Sequence, residues 1–552
     1  MSQVIATPGT RVMTHTARLV IFASSPGTVF EWYDFYLVGS LAAFIGHSMF
    51  AGVNPTAAFI FALLSFAAGF AVRPFGAVFF GRLGDRIGRK HTFLITISLM
   101  GASTIVIGLL PGYDTIGIAA PIGFVAMRMV QGLALGGEYG GAATYVAEHA
   151  PNDRRGEYTS WIQLTAALGL FLSLGMILCV RTATGESAFA VWGWRVPFVL
   201  SAGLLAVSVW IRLRLHESPV FEKMKSEGRR SKAPLTEAFG TWKNLKLVLI
   251  ALFGVTAGEA VVWYTGQFYT LFFLTQTLKL DGPLANILLV AALIISTPLY
   301  LVFGKLADKV GRKPILMMGF LLAALTFFPL FKALTGYVNP DLQLAQQQSP
   351  IVVAADPAQC SLQFNPVGTA RFTTSCDIAK SALSRAGLSY SNRDAAPGRT
   401  AQILVGDTMI GAYDGLDANA KTLQPSFEGA LARTLAEKGY PGKPDPDKVN
   451  KPMAILILVI LMTYGTMVYA PLAAILVEMF PTRIRYTSMS LPYNIGNGWF
   501  GGFLPASVFA IVAAGGNMYA GLWYPIVIAV VSLVVGSLFL RETNGADINR
   551  ND

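Results

Sequence analysis

The chain has 552 residues, of which 53% are hydrophobic and only 13% are charged. A soluble domain carries about a quarter charged residues, so this composition excludes an ordinary soluble protein. The net charge of +11 arises from basic loops between apolar runs. It therefore indicates membrane orientation and excludes a nucleic-acid-binding surface.

Apolar runs recur along almost the whole chain, and a membrane helix needs about 20 such residues. We predict an all-α membrane protein with twelve spanning helices. The first run continues past Glu31 without a convincing cleavage site, so a helix is favoured over a signal peptide. The runs cover residues 18–47, 56–80, 92–110, 118–148, 158–180, 193–213, 245–275, 284–304, 315–334, 451–478, 486–513 and 520–540.

Two acids, Glu31 and Asp34, fall near the middle of the first predicted helix and share one face. A charge at that depth costs about 2.5–3.5 kcal/mol on insertion scales, so helices keep such residues mainly for pathways or relays. Two close carboxylates in a low dielectric resist ionising together, so one of them should hold a proton. Both are predicted proton-coupling residues, and the alternative is that either pairs with an arginine to hold helices together.

Two short basic hairpins are near copies of each other, GRLGDRIGRK at residues 81–90 and GKLADKVGRK at residues 304–313. Short loops rich in Lys and Arg stay in the cytoplasm, which places both termini inside. The carboxylate of Asp85 can meet a helix terminus or the arginines of a neighbouring loop, Arg154 or Arg155, when the cytoplasmic side is shut. The alternative is that these hairpins only determine topology.

Three other charged residues of the predicted helices are considered as functional candidates. Arg128 is about ten residues into the fourth helix, hence near mid-membrane at about 1.5 Å per residue. It can be a permanent partner of Glu31, Asp34 or Glu138, a ligand of an anionic substrate, or a site where substrate and acid exchange. Glu138 is a predicted proton relay or a helix-end salt bridge, and Arg73 is expected to snorkel to the interface.

Polar and aromatic residues are predicted to line a cavity, although aromatic residues at such positions more often pack or anchor. With Arg128, the predicted substrate contacts are Tyr36, Gln163, Tyr264, Gln267 and Asn494. Further lining candidates are Glu259, Trp263, Tyr464 and Asn497.

The repeats locate an insertion. Asp85 and Asp308 are 223 residues apart, whereas the repeated Glu148 and Glu478 are 330 apart, so about 107 residues are additional in the second half. They fall in the polar segment 335–450, which follows the ninth helix and therefore lies outside the cytoplasm. We expect a small folded cap there, with helices near 377–386 and 427–438 and a strand near 401–405.

The insertion contains two of the three cysteines. Cys360 and Cys376 lie in an extracytoplasmic polar segment, which predicts a disulfide, with two unpaired thiols as the alternative. Cys179, in the fifth helix, is expected to be a packing residue.

Several motifs resemble those of one family. EWYDF at 31–35, RPFG at 73–76, RMVQG at 128–132 and WGWRVP at 192–197 are similar to the major facilitator superfamily, and more closely to its metabolite:proton symporter family. The resemblance covers all but the insertion. It implies two six-helix halves, alternating access, no cofactor beyond the proton gradient, and substrates such as betaine, proline or organic acids. It also implies gating roles for Asp85, Arg89, Arg155, Asp308 and Arg312.

The predicted organisation is a six-helix half, a cytoplasmic linker, a second half divided by the cap, and a cytoplasmic tail. These parts cover residues 1–213, 214–244, 245–334, 335–450, 451–540 and 541–552. The predicted function is proton-coupled import of a small carboxylate by a monomer in a bacterial inner membrane. Its predicted partners are the small-molecule substrate, protons and the lipid bilayer.

Other functions are weighed against this one. The first alternative is a betaine or proline symporter, and the second is a membrane enzyme or a non-transporting sensor on the same fold. The five histidines show no metal-ligand spacing, which disfavours a metal-dependent enzyme. The segment 165–175 contains no proline, which disfavours drug efflux by antiport.

Overall fold

A computed structural model of the protein describes residues 15–51, 55–214, 217–228, 231–361 and 372–548. Within these ranges the chain is largely helical, and its strands lie between the ninth and tenth long helices. The remaining residues include part of the predicted linker, part of the predicted cap and the end of the predicted tail, so those parts of the predictions lie outside the described residues.

The described residues form twelve long helices in two sets of six. The first set is α1 (His15–Ser40), α2 (Pro55–Ile87), α3 (Arg89–Leu109), α4 (Ala119–His149), α5 (Arg155–Thr184) and α6 (Gly193–Leu213). The second set is α7 (Trp242–Thr277), α8 (Gly282–Val310), α9 (Arg312–Val338), α10 (Lys451–Met479), α11 (Thr482–Val512) and α12 (Ala520–Phe539). Short helices Ala42–Met49, Tyr113–Ile116, Glu186–Val191, Pro219–Ser226 and Pro234–Phe239 lie in the connections.

The ten helices from α3 to α12 are each long and apolar enough to cross a membrane, in a search confined to the described residues. The helices α1 and α2 overlap the first two predicted spans, but α1 ends at Ser40 and not at residue 47, and α2 continues to Ile87 and not to residue 80. Most other boundaries differ by a few residues, and one difference changes the predicted organisation. Helix α9 ends at Val338, so residues 335–338 of the predicted insertion complete this helix, with Leu334 and Val338 buried in the core.

The two basic hairpins join α2 to α3 and α8 to α9. Each turn is made by a glycine with a left-handed backbone, Gly88 at φ +120° and Gly311 at φ +104°, a conformation that residues with a Cβ rarely adopt. The halves meet through α2 with α11 and through α5 with α8. Gly84 allows the first approach, because a Cβ there would lie 2.0 Å from the ring of Tyr486.

The cap is a small α/β unit. Its sheet has the order β2-β1-β3-β4, with β1 (Ile351–Ala355) parallel to β2 (Ser391–Asp394) and antiparallel to β3 (Gln402–Val405). Strands β3 and β4 (Thr408–Gly411) form a hairpin. The helices Ser375–Arg385 and Ala420–Glu437 contact the sheet, the helix Pro340–Gln348 precedes it in the chain, and a disulfide joins Cys360 to Cys376 across a Cα separation of 5.2 Å.

The cap is attached to the second half through backbone contacts. The N–H of Tyr390 donates to the carbonyl of Gly516 at 2.6 Å, and the N–H of Met518 donates to the hydroxyl of Ser389 at 3.0 Å. The ammonium of Lys279 donates to the carbonyl of Arg385 at 2.7 Å. These bonds join the cap to the α7–α8 and α11–α12 connections.

Candidate functional site

The first hairpin aspartate binds the start of a helix in the opposite half. Asp85 is completely buried, and its carboxylate accepts the backbone N–H groups of Tyr486 at 3.3 Å and Thr487 at 2.8 Å. Arg89 lies 3.2 Å from the same carboxylate. The predicted contact with a helix terminus is therefore present. The arginine beside Asp85 is Arg89, four residues later in the same hairpin, and not Arg154 or Arg155.

The second hairpin makes the equivalent contact with the first half. Asp308 accepts the backbone N–H groups of Gly156 at 2.8 Å and Glu157 at 2.7 Å, in the first turn of α5, and Arg312 lies 3.2 Å away. Each half thus places an aspartate at the positive end of a helix dipole in the other half. Both aspartates bridge the two halves at the end of the bundle that carries the basic hairpins.

Two glutamates complete these clusters. Glu148 forms an ion pair with Arg485 at 2.7 Å and lies 3.8 Å from Arg89. In the other cluster, Glu478 forms ion pairs with Arg155 and, at 2.9 Å, with Arg312. We name these two clusters, each of one aspartate, one glutamate and two arginines, the hairpin clusters. Glu148, Glu478 and Arg485 were not predicted as gating residues.

The sequence contains a signal that could have identified Glu148, Glu478 and Arg485 as members of these clusters. Arg155 and Arg485 each follow the repeated prolines Pro151 and Pro481 by four residues, so the repeat pairs the two arginines as well as the two glutamates. Because each arginine begins its helix, the opposing aspartate meets the same helical turn in both halves.

A second pair of acids caps the helices that follow the hairpins. Glu217 accepts the N–H groups of Arg89 at 3.2 Å and Lys90 at 3.3 Å, at the start of α3. Glu542 accepts the N–H groups of Arg312 and Lys313, both at 3.0 Å, at the start of α9. Neither acid was predicted from the sequence. The repeat offers a signal for them, because each acid lies a few residues after the last helix of its half and is followed directly by a serine or a threonine.

In the membrane core, Asp34 and Arg128 form an ion pair within the first half. Their side chains are 2.9 Å apart and buried. Gln131 bonds to both, and Thr104 donates to Asp34 at 2.9 Å. All four residues lie on α1, α3 and α4, so this geometry corresponds to the predicted alternative of a permanent partner for Arg128.

Glu31 and Arg73 form a second buried pair, which reaches the opposite half. Arg73 donates to Glu31 at 3.2 Å and, through Nε, to the side-chain oxygen of Asn494 on α11, also at 3.2 Å. Arg73 is only 4% exposed, so the expectation that it snorkels to the interface is wrong. Its burial is possible because a carboxylate and an amide oxygen compensate the lost hydration.

Glu138 has an arginine partner as well. Arg212 on α6 donates to Glu138 at 2.7 Å, and Thr96 donates to the same carboxylate at 2.9 Å. The guanidinium also lies over the ring of Phe93, 3.3 Å from its centroid. Each of the three acids predicted for proton coupling is thus paired with one arginine.

Several of the predicted lining residues contact the opposite half. Tyr36 stacks on Phe268 at 5.9 Å, Tyr264 packs against Phe70 of α2, and Gln163 donates to the hydroxyl of Tyr139 at 3.1 Å and to the carbonyl of Tyr469 at 3.4 Å. Others make contacts within the second half. Asn497 donates to Glu259 at 3.0 Å, the hydroxyl of Tyr464 accepts from Thr326 at 3.0 Å, and Gln267 is half-buried on α7.

Aromatic rings cross the boundary on both sides of this polar region. Trp32 of α1 and Trp263 of α7 have centroids 5.1 Å apart. Tyr139 of α4 and Tyr493 of α11 stack at 3.6 Å with nearly parallel rings.

Cys179 is exposed, so the expectation that it is a packing residue is wrong. Its position on the outer face of α5 directs it away from the core.

Comparison with known proteins agrees with this architecture. The family model described as the Major Facilitator Superfamily matches residues 26–345, and that of the Sugar (and other) transporter matches residues 431–550. The matches fall on either side of most of the cap. The structure is similar to that of a proton:xylose symporter, XylE, with a TM-score of 0.56 and 16% identity, over 97% of this chain and 98% of that one.

Relatives in sequence are transporters of several metabolites. The inner membrane metabolite transport protein YhjE of Escherichia coli K12 is 38% identical over 331 residues, which are 59% of this chain and 74% of the relative. The Escherichia coli K12 shikimate transporter is 37% identical over 58% of this chain and 73% of its own length. The proline/betaine transporter of the same strain is 35% identical over 55% and 62%. The chain is a member of the major facilitator superfamily, a family of membrane transporters and not of enzymes.

Proposed function

We propose that the protein is a proton-coupled symporter that imports a small carboxylate-bearing metabolite by alternating access. The observation that carries the proposal is the bond network of Arg73, Glu31 and Asn494. Arg73 is a buried cation whose acid partner lies in its own half and whose amide partner lies in the other half. A substrate carboxylate bound between the halves would compete with Glu31 for this guanidinium.

Charge balance explains how a proton would be coupled to such a substrate. In the empty transporter, Glu31 and Arg73 neutralise each other and can be buried together. A substrate carboxylate that takes the guanidinium leaves Glu31 without its cation, and an ionised buried acid is very unfavourable. Glu31 must then take up a proton. Substrate and proton would enter together, and the site would be neutral whenever it is closed.

Alternating access requires that the hairpin clusters break. All four of their acids contact the opposite half, and Asp85, Arg89, Arg155 and Arg312 are fully buried, which supports a conformation closed on the side of the basic hairpins. Opening on that side would expose these groups to water, which compensates part of the lost pairing. The basic hairpins support a cytoplasmic location for both termini. We propose a monomer in a bacterial inner membrane.

Transport by purified protein in proteoliposomes tests the proposal. An inward-directed proton gradient should drive uphill uptake of a carboxylate, screened over dicarboxylates, aromatic acids, hydroxy acids and betaines. Arg73→Lys should raise KM strongly, because an ammonium cannot replace the bidentate guanidinium. The matched control is Arg181→Lys, in an ion pair with Glu186 that is exposed. Uptake that is indifferent to the proton gradient would refute the symport mechanism.

A second candidate is symport of a zwitterionic osmolyte. The aromatic rings at the boundary, Trp32 with Trp263 and Tyr139 with Tyr493, are suited to contact a quaternary ammonium group through cation–π attraction. The same Arg73 would bind the carboxylate of such a substrate. Competition by glycine betaine distinguishes this candidate, because it should inhibit uptake only if the site accepts a cationic group.

A further inference from the structure

Glu259 is the one charged residue near the middle of any helix in the second half. All other Lys, Arg, Asp and Glu residues of α7 to α12 lie in the first or last turns of their helices, apart from Lys332, which is within two turns of the outer end of α9. The side chain of Glu259 is completely buried. The second half therefore offers a single acid to the boundary with the first half, and no cation at the same depth.

The contacts of Glu259 differ from those of the three acids in the first half. One of its oxygens, Oε2, accepts from the amide of Asn497 at 3.0 Å. The other, Oε1, is buried without a hydrogen-bond partner among the described residues. Glu31, Asp34 and Glu138 each have an arginine, whereas within the same ranges Glu259 has no ion pair with Lys or Arg.

The groups that face Glu259 from the neighbouring helices are neutral. Five tyrosines lie within electrostatic range of it: Tyr139 on α4, Tyr264 on α7, Tyr300 on α8, Tyr469 on α10 and Tyr493 on α11. Ser532 of α12 and Phe320 of α9 pack beside the preceding residue, Gly258. The positive charge of Arg73 interacts electrostatically with three of these tyrosines, but Arg73 is already paired with Glu31.

The local backbone supports a functional role for this position. Helix α7 contains π-helical turns at Leu252–Thr256 and Thr265–Tyr269, on either side of Glu259. Helix α11 contains another at Gly496–Gly501, which includes Asn497. Such turns are rare and frequently occur at functional sites. Here both members of the Glu259–Asn497 hydrogen bond lie in or beside such turns.

Electrostatics then decides the protonation of Glu259. An isolated carboxylate in an apolar surrounding is so unfavourable that the group neutralises instead. Since Oε2 accepts from Asn497, the proton must be on Oε1, the oxygen that has no partner. A carboxylic acid kept neutral in this way can donate a hydrogen bond at neutral pH. Among the described residues, the structure thus holds a buried donor without an acceptor.

We propose that Glu259 stays neutral through the transport cycle and donates a hydrogen bond from Oε1 to an oxygen of the substrate. Arg73 would bind the substrate carboxylate, and Glu259 would select a hydroxyl or keto oxygen on the same molecule. The substrate class is therefore a hydroxy or oxo acid rather than a quaternary ammonium compound. This inference rests on the proposed function, because it assumes a substrate bound between the halves.

Two substitutions test the inference. Glu259→Gln keeps a hydrogen-bond donor of the same size and removes titration, so it should retain proton-driven uptake. Glu259→Leu removes the donor, and kcat/KM should fall about 5- to 150-fold, the range expected when a hydrogen bond of a buried group is lost. Glu186→Gln, at an exposed acid, is the matched control. The probes are shikimate, cyclohex-1-enecarboxylate, which has the same ring without hydroxyls, and glycine betaine.

The outcomes separate the possible roles. Loss of uphill uptake with retained exchange in Glu259→Gln would show that Glu259 carries the coupled proton, and would overturn the inference. Transport of glycine betaine that is lost in Glu259→Gln would show an ionised acid binding a cation, and would also overturn it. Uptake of cyclohex-1-enecarboxylate as efficient as that of shikimate would show that no substrate hydroxyl is recognised, with the same consequence.

Infrared spectroscopy tests the neutral state without any substrate. The purified, substrate-free protein should show a protonated-carboxyl band at neutral pH that disappears in Glu259→Gln. Asn497→Leu should shift the same band, which assigns it even if the first variant fails to fold. Absence of the band from the unmodified protein would overturn the inference. If instead the band is present but the protein transports nothing in response to a proton gradient, the proposed function fails and the neutral state of Glu259 stands.

Discussion

In the proposed mechanism the two hairpin aspartates hold the cytoplasmic side closed, and Asp85→Asn measures how much they contribute. Asp85 is fully buried, accepts two backbone N–H groups at 3.3 and 2.8 Å, and lies 3.2 Å from Arg89. Asparagine keeps the volume but offers one acceptor and no charge. Each charge-assisted hydrogen bond is worth about 1.5–3 kcal/mol, and a buried ion pair that loses one partner costs about 3–5 kcal/mol.

The expected cost lies at the lower end of this range. Arg89 keeps the carbonyl of Thr482 at 2.9 Å and the carboxylate of Glu148 at 3.8 Å, so it is not left without partners. We take about 3 kcal/mol for the closed state relative to the open one. Since about 1.4 kcal/mol corresponds to a factor of ten, the ratio of closed to open transporter should fall about 100-fold.

Distance measurements between spin labels detect this change. Labels at His91 and Lys309, which are exposed near the cytoplasmic ends of opposite halves, report the separation after Cys179→Ser removes the free thiol. Asp85→Asn should add a population at longer distance, and Asp308→Asn should do the same. Asp341→Asn, in an exposed ion pair of the cap, is the control. Unchanged distances in both hairpin variants would refute the proposed closure.

Three further outcomes follow from the same contacts. Asp34→Asn should lower the free energy of unfolding by about 3–5 kcal/mol, because it leaves Arg128 buried without its acid. The double variant Asp34→Leu/Arg128→Met should recover most of the thermal stability. Equal melting temperatures for the unmodified protein, the single variant and the double variant would contradict this. Cys376→Ser should destabilise the cap by about 3 kcal/mol in the chain-entropy model, measured as faster proteolysis with transport retained. Glu542→Gln should weaken the start of α9 by about 0.5–2 kcal/mol, as Glu217→Gln should weaken α3, and the spin-label distances above would reveal either effect.

The repeats explain why the architecture could be predicted from the sequence. Apolar runs set the helices, and the copied hairpins set the two halves. The difference between offsets of 223 and 330 residues located the insertion near 335–450. The Cys360–Cys376 disulfide followed from compartment and composition, and the structure contains it. These features depend on local sequence and on a repeat that occurs once in each half of the chain.

The partners of the charged residues could not be predicted in the same way. By sequence distance alone, Arg73 lies about two turns before the first basic hairpin, yet its side chain turns into the core because Glu31 and Asn494 are there. Asp85 meets α11 rather than Arg155 because the halves face each other through a two-fold relation, which exchanges the partners of the two hairpins. Such contacts depend on helix rotation and on how the halves are docked, and neither is encoded within a single helix.

The central claim is that substrate and proton bind one after the other to the same buried arginine–acid pair. The most direct test is simultaneous measurement of proton and substrate flux into proteoliposomes, for the unmodified protein and for Glu31→Gln. We predict that the unmodified protein moves protons inward in fixed proportion to substrate. Glu31→Gln should exchange substrate across the membrane but should not accumulate it or move protons. Proton flux in Glu31→Gln equal to that of the unmodified protein would contradict the account.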